Sequence, residues 1–166
     1  LSSISPDDRL QLRLHGKGYF FDNARRKHGA LMHEVLSRIR TRKDIPQSVE
    51  RYHQEGVIDK EEAIALVARL EELLNLPEAA SWYDGTARVL NEVDILFGKG
   101  LSKRPDRVMI TGNRVVVVDY KFGEHADQRY HSQVRNYLKL IRQMGYDGVE
   151  GFLWYVELNK IEAVKG

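Results

Sequence analysis

The chain has 166 residues, of which 42% are hydrophobic and 30% are charged, and its formal net charge is +2. This length and composition fit one soluble globular domain with a substantial core. The sequence has no cysteine, which excludes disulfides, iron–sulfur clusters and cysteine-ligated zinc and favours a reducing, cytoplasmic setting. No apolar run approaches the roughly 18 residues of a membrane-spanning helix, so we expect no membrane partner.

The apolar residues in the first half of the chain have the spacing of amphipathic helices. Apolar residues recur at helical period over about 24–41. Pro46 opens a second, short helix that Gly56 ends. Asp59 caps a third helix that runs to about Asn75. The apolar positions of this third helix are Ile64, Leu66, Val67, Leu70, Leu73 and Leu74.

The second half of the chain changes to the period of strands, interrupted by one helix over about 127–144 that Gly145 ends. The predicted strands are Arg88–Phe97, Arg104–Thr111, Arg114–Tyr120, Val149–Val156 and Ile161–Val164. We therefore predict an α/β (α+β) fold in a single domain over 1–166. Residues 1–80 are mainly helical, and residues 86–166 form a β-β-β-α-β core whose central mixed sheet is flanked by helices.

One predicted hairpin places two aspartates face to face. Gly112-Asn113 is a two-residue turn with glycine first, as a type II′ turn requires. If these residues form the loop, Thr111 pairs with Arg114, and Asp106 then lies directly opposite Asp119. Facing residues have Cβ atoms roughly 4.5–5.5 Å apart and project on the same side of the sheet.

This pair of carboxylates is costly without a cation. Two carboxylates about 5 Å apart repel by roughly 3 kcal/mol at an effective dielectric of about 20. Lys121 projects on the same side as Asp119 and offsets only part of that cost. A divalent cation such as Mg²⁺, which prefers carboxylates, waters and phosphates, removes it. The alternative is a solvated surface hairpin, but the run Val115–Val118 predicts a strand covered on both faces.

Other polar residues are candidates for the same site. Glu92, on the preceding strand, either lines the site or is an exposed carboxylate, and Asp94 competes with it. His33 lies at the margin of the first apolar stripe and is either a satisfied, half-buried side chain or a metal ligand. Gln133 and Tyr137 lie one turn apart on the later helix. The amide of Gln133 has no core role, whereas Tyr137 also fits the core.

Clusters of basic residues suit a phosphate backbone, although each is also explained as a solvated helix face. The clusters are Arg25-Arg26-Lys27-His28, then Arg38, Arg40, Arg42 and Lys43, then Lys99, Lys103, Arg104 and Arg107. The remaining histidines have no evident partner and are expected at the surface. They are His15, His28, His53, His125 and His131.

These motifs resemble a known family. Glu92, Pro105-Asp106 and Asp119-Tyr-Lys121 look like the PD-(D/E)XK nuclease superfamily. Gly29-Ala-Leu-Met-His33, the same Asp-Tyr-Lys strand and Gln133-Val-Arg-Asn-Tyr137 resemble the G-x-x-x-H, DYK and QxxxY motifs of RecB-like nucleases. In this order they span most of residues 24–156. The closest resemblance is to the C-terminal nuclease domain of RecB/AddA-type helicase–nucleases, of the exonuclease V type. Relatives with an iron–sulfur cluster hold it with four cysteines, which this chain lacks.

The resemblance implies a restriction-endonuclease-like core with a metal site. It implies that His33, Asp106, Asp119 and the backbone carbonyl of Tyr120 bind Mg²⁺ or Mn²⁺, without an iron–sulfur cluster. It also implies that Asp106 and Asp119 are catalytic as metal carboxylates.

The resemblance assigns further roles around the metal. Lys121 orients the attacking water or stabilises the transition state. Glu92, also catalytic, joins a second metal or positions the first through water. Gln133 and Tyr137 hold the substrate or support the active-site lysine.

The resemblance also implies a biological setting. We expect a DNA exonuclease that acts on single strands unwound by a helicase, in double-strand-break repair and recombination. The chain starts at Leu1 rather than Met and is expected to be excised from a larger helicase–nuclease. Its expected partners are DNA, the helicase region of the same polypeptide and a partner subunit. The rival hypotheses are a stand-alone restriction- or repair-type endonuclease and a catalytically silent DNA-binding module.

Overall fold

The computed structural model describes residues 26–91, 105–123 and 127–166. The chain divides into two compact units, residues 1–34 and 35–166. Helix α1 covers residues 26–38 and confirms most of the first predicted helix. None of the described helices is long and apolar enough to cross a membrane.

Two helices follow close to their predicted bounds, α2 over Ile45–Gln54 and α3 over Lys60–Leu74. Gly56, with φ of +74°, ends the turn after α2 in a conformation that favours glycine. The predicted cap of α3 is confirmed, because a side-chain oxygen of Asp59 accepts from the Glu62 N–H at 2.8 Å. Glu62 completes a capping box by accepting from the Asp59 N–H at 3.2 Å.

The apolar stripe of α3 differs from the prediction at one position. Ile64 is 64% exposed, whereas Leu66 and Leu70 are buried. Ile64 precedes Leu66 by two residues, or about 200° of helical rotation, so the two side chains lie on opposite sides of α3. The buried face carries Leu66, Leu70, Leu73 and Leu74.

The second half of the chain forms the predicted mixed sheet, whose five strands lie in sequence order. The third and fourth strands are parallel, and the remaining neighbouring strands pair antiparallel. Helix α4, Gln128–Gln143, makes the crossover between the parallel strands. The strands are β1 Arg88–Asn91, β2 Arg107–Thr111, β3 Arg114–Lys121, β4 Gly148–Tyr155 and β5 Lys160–Val164.

Helix α4 packs closely against one face of the sheet. Asp127 caps its first turn by accepting from the Arg129 N–H at 2.9 Å. Gly151 on β4 permits the close approach, because a Cβ atom at this position would lie 2.6 Å from Val134 Cγ1 and 3.0 Å from Leu138 Cδ2. The core between α4 and the sheet contains Val108, Val115, Val117, Val134, Leu138, Ile141, Val149 and Leu153.

Aromatic side chains cover the opposite face of the sheet. Trp154 on β4 has edge contacts with Trp82, Tyr83 and Tyr120, at centroid distances of 6.0, 6.2 and 5.9 Å. Trp82 and Tyr83 belong to a short 3₁₀ helix, Ala80–Tyr83, that the sequence analysis did not predict. Strand β3 is therefore covered on both faces, as its run of valines predicted.

Candidate active site

The hairpin between β2 and β3 has the predicted register. Gly112 has φ of +59°, and Thr111 pairs with Arg114. The antiparallel pairing continues without a break along β2. One position beyond the last paired residues, Asp106 lies opposite Asp119. The turn thus fixes which two side chains face each other at the far end of the hairpin.

Each of the two aspartates also bonds to the backbone of the opposite strand. The Asp106 N–H donates to Asp119 Oδ1 at 3.2 Å, and the Tyr120 N–H donates to Asp106 Oδ2 at 2.8 Å. These bonds extend the β2–β3 ladder by one step through side chains. Both carboxyl groups are therefore held in place by the sheet itself.

Asp119 carries the electrostatic cost that the sequence predicts. Its side chain is buried, at 3% relative exposure, while Asp106 is half-buried. Burial, followed by the negative charge of Asp106, raises the pKa of Asp119 from 3.8 to about 7, and the Lys121 ammonium acts in the opposite direction. The pair consequently retains a proton close to neutral pH when no other cation is bound.

This raised pKa predicts how the stability of the metal-free protein depends on pH. Unfolded Asp119 loses its proton near pH 3.8, whereas folded Asp119 keeps it to about pH 7. The folded state binds more protons between these values, so the contribution of Asp119 is fully present below pH 3.8 and is lost as the pH rises to 7. We expect a loss on the order of 3–4 kcal/mol.

Urea denaturation in EDTA across this pH range measures the effect. The matched control is Asp119→Asn, which keeps an acceptor for the Asp106 N–H but cannot ionise. The difference in stability between the parent and this variant isolates Asp119 from the other carboxylates. A constant difference at all pH values would contradict the prediction.

Lys121 lies beside the carboxylates and is held on several sides. Its Nζ lies 3.4 Å from Asp119 Oδ2 and donates to Gln133 Oε1 at 3.4 Å. The same amine lies 4.4 Å from the ring centroid of Tyr130, within cation–π range. The side chain is 21% exposed. The lysine is therefore positioned by β3 and α4 while its amine keeps some access to solvent.

The face of α4 that carries Gln133 returns over the site as expected. Gln133 Nε2 donates to the Tyr137 hydroxyl at 3.1 Å. Tyr137 is buried among the core residues of α4. Burial, followed by the charge of Asp119, raises the pKa of the Tyr137 hydroxyl, so it stays protonated. Tyr137 is thus a core residue whose hydroxyl orients Gln133, which in turn contacts Lys121.

Residues 9–166 match the PD-(D/E)XK nuclease superfamily. The chain belongs to this superfamily. A search of curated proteins finds no match to the chain. The name of the superfamily describes its motif, which Pro105-Asp106 and Asp119-Tyr120-Lys121 match here. The five-stranded mixed sheet with its helices agrees with the restriction-endonuclease-like fold. Membership implies a metal-dependent nuclease.

The donor atoms of the PD-(D/E)XK motif fit a hard divalent cation. Asp106 and Asp119 present neighbouring carboxylates, and the charge of one raises the pKa of the other. Among the described residues of 35–166, no group of three or more histidine, cysteine, aspartate or glutamate side chains could hold a metal ion. A cation at this pair would thus need further ligands, and Mg²⁺ commonly keeps waters in that role.

Arg107 corrects one prediction of the sequence analysis. It was included in a basic cluster that suited a phosphate backbone or a solvated surface, but it is fully buried. Its guanidinium donates to the carbonyls of Ile39, Arg40 and Trp82 at 2.6, 2.8 and 2.6 Å, and lies 3.9 Å from the Tyr83 ring centroid. Arg107 therefore ties the start of β2, directly after the motif aspartate, to the residues that follow α1.

The metal-binding and catalytic roles of all the predicted site residues stay predictions, those of His33, Glu92 and Tyr120 included. His33 lies in α1, is half-buried and belongs to the first unit. Glu92 falls outside the described residues, as does its competitor Asp94. Tyr120 directs its side chain to the face opposite the carboxylates, where its hydroxyl lies 2.8 Å from the Tyr83 hydroxyl. Only its backbone carbonyl is a candidate ligand.

Two side chains near the site were not assigned a role from the sequence. Tyr130 was not singled out from the sequence, although its ring contacts the Lys121 amine. Its position nine residues after Lys121, on the core side of α4, is the one indication in the sequence. His131 was expected to have no partner, but its Nε2 lies 3.1 Å from Glu162 Oε2 on β5. That expectation was wrong because the pairing joins elements distant in sequence.

Proposed function

We propose that this PD-(D/E)XK protein is a Mg²⁺-dependent deoxyribonuclease, with Mn²⁺ as an alternative cation. The observation that carries the proposal is the position of Lys121, whose Nζ lies 3.4 Å from Asp119 on the side of the sheet where Asp106 and Asp119 meet. Paired carboxylates next to an amine suit a reaction that activates water beside a negatively charged phosphodiester.

The proposed metal ligands start from the two aspartates. Asp106 and Asp119 would hold the cation, with His33 and the Tyr120 carbonyl as further ligands. Glu92 would serve a second cation or position the first through water. When bound, the cation acts as a Lewis acid toward a phosphate oxygen and lowers the pKa of a bound water.

The proposed role of Lys121 follows from the groups that hold it. Asp119, Gln133 and Tyr130 keep the amine directed at the carboxylate pair. From there it can donate a hydrogen bond to the attacking water or to a non-bridging phosphate oxygen. The water loses a proton to solvent as its oxygen bonds to phosphorus, the bond to the 3′ oxygen breaks, and that oxygen takes up a proton from solvent. The products carry a 5′-phosphate and a 3′-hydroxyl.

We further propose an exonuclease that degrades single strands delivered by an attached helicase, in double-strand-break repair and recombination. Support comes from the resemblance of the His33, Lys121 and Gln133–Tyr137 motifs to those of RecB-like nucleases. In this proposal residues 86–166 are the catalytic core, residues 1–80 are the helical part of the same nuclease domain, and a helicase region and a partner subunit are its protein partners.

The test uses three substrates that need no motor. Linear single-stranded DNA, circular single-stranded DNA and linear duplex DNA are incubated with the protein in Mg²⁺ or in EDTA. We expect cleavage of the linear single strand in Mg²⁺ alone, with the circle intact. Lys121→Ala is expected to lower the rate by about 10²–10³-fold, because it removes a group that stabilises developing charge.

The matched control is Lys60→Ala, which removes an exposed lysine at the start of α3 and should leave the rate unchanged. Cleavage in EDTA, or full activity of Lys121→Ala, would overturn the proposed mechanism. Cleavage of the circle would favour the endonuclease alternative. A parent protein that binds DNA but cuts none of the substrates would favour the silent module.

A further inference from the structure

All the formally charged side chains of helix α4 are basic. Its 16 residues contain Arg129, Arg135, Lys139 and Arg142 but no aspartate or glutamate. Arg135, Lys139 and Arg142 are spaced at i, i+4 and i+7 and therefore share one face of the helix. All three are exposed. We call these three residues the α4 basic stripe.

The α4 basic stripe has only neutral partners within the described part of the chain. Arg135 donates to Ser132 Oγ at 3.2 Å and Arg142 donates to the Val149 carbonyl at 3.4 Å. Other surface arginines do form ion pairs with carboxylates. They are Arg51 with Glu55, Arg69 with Glu72, Arg114 with Glu150 and Arg129 with Asp127.

The charges of the stripe do not stabilise α4 as a group. Like charges at these spacings repel and weaken a helix slightly, and only Arg142, in the last turn, gains from the helix dipole. The stripe together with Gln143 lines a shallow surface groove of about 530 Å³. The described residues therefore do not compensate these charges, which remain available to an external anion.

The dimensions of the stripe match a nucleic-acid strand. Seven residues of helix rise about 10 Å, which equals the axial rise of about three nucleotides along one strand of a duplex. Arg135 follows Gln133 by two residues, or about 200° of rotation, so the stripe lies on the flank of α4 away from Lys121. One helix thus contacts the candidate site on one flank and presents aligned cations on the other.

We infer that the α4 basic stripe binds the sugar–phosphate backbone of a nucleic acid, outside the position of cleavage. The inference rests on the proposed function in taking nucleic acid as the ligand. It adds a binding surface that is separate from the carboxylate pair and the lysine.

The test measures binding in EDTA, so that cleavage plays no part. Affinity for a fluorescein-labelled single-stranded oligodeoxynucleotide is followed by anisotropy over a series of salt concentrations. The variant R135Q/K139Q/R142Q is expected to bind about tenfold more weakly at low salt. The slope of log affinity against log salt should fall by about 2, as expected for the loss of three contacts to a single strand.

The control R51Q/K60Q/R114Q removes the same number of exposed charges from α2, α3 and β3 and should change the affinity and the slope far less. R135K/R142K keeps the charge and should bind like the parent, which separates charge from any loss of packing around Arg142. Thermal melting shows whether each variant is folded.

Equal weakening of binding in both triple variants would overturn the inference. Unchanged affinity in the stripe variant would also overturn it and would favour an acidic protein as the occupant.

Asp119→Asn, measured in the same assays, separates this inference from the proposed function. If the inference holds, adding the stripe substitutions to this variant weakens its binding by the same factor as adding them to the parent. Cleavage by Asp119→Asn would sink the proposed function while leaving the result on the stripe intact.

Discussion

Replacement of Asp119 by asparagine is expected to lower the rate of Mg²⁺-dependent cleavage by about 10³-fold or more. The substitution removes a negative charge from the carboxylate pair, and asparagine can still accept from the Asp106 N–H, a bond of 3.2 Å in the parent. The sheet register should therefore survive while affinity for the cation falls. Initial rates on linear single-stranded DNA measure the effect.

Two further variants make this result specific. Asp84→Asn changes an exposed aspartate that bonds to Thr86, and its rate should equal that of the parent. Asp106→Asn should be as slow as Asp119→Asn. The double variant should be little slower than either, because residues that act as a unit are not additive. Cleavage by Asp119→Asn at a rate within a few-fold of the parent would refute the assignment.

Replacement of Arg107 by alanine is expected to destabilise the protein by about 3–5 kcal/mol. The guanidinium donates to three carbonyls, those of Ile39, Arg40 and Trp82. Alanine leaves these acceptors without their donor and opens space beside the Tyr83 ring. Urea denaturation at neutral pH measures the loss of stability.

The matched control is Arg114→Ala, which removes an arginine from the neighbouring strand. Arg114 is 73% exposed and pairs with Glu150 at the surface, so its loss should change stability by less than about 0.5 kcal/mol. If both variants were equally stable, Arg107 would not be the anchor that its contacts indicate. Because Arg107 directly follows Asp106, we also expect Arg107→Ala to lose activity under conditions where the protein is still folded.

The part of the site that the sequence predicted is the part built by local rules. The two-residue turn sets which residues of the two strands pair, and side chains alternate between the two faces of a strand. The opposition of Asp106 and Asp119 was therefore predictable without a structure. The position of Lys121 on the same side follows from the same alternation. The cap of α3 and the ends of α2, α3 and α4 are local as well, and they were found close to their predicted positions.

The features that the sequence did not predict depend on contacts between distant segments. Arginine is usually a surface residue. The burial of Arg107 is explained by its hydrogen bonds to the carbonyls after α1 and in the 3₁₀ helix. His131 on α4 pairs with Glu162 on β5. The strand period gave no indication that Trp82 and Tyr83 would cover the far face of the sheet. Ile64 is apolar but lies on the outer side of its helix.

The two-residue turn at Gly112 has a consequence for how this protein tolerates insertions and deletions. Surface loops usually accept changes of length, because they are distant from the groups that matter. Here the turn lies six residues from Asp106, about 20 Å along the strand, yet it sets the register of the carboxylate pair. A slip of one residue turns the side chains of one strand to the other face. Adding or removing a single residue at this exposed tip would therefore separate the two aspartates as effectively as mutating one of them.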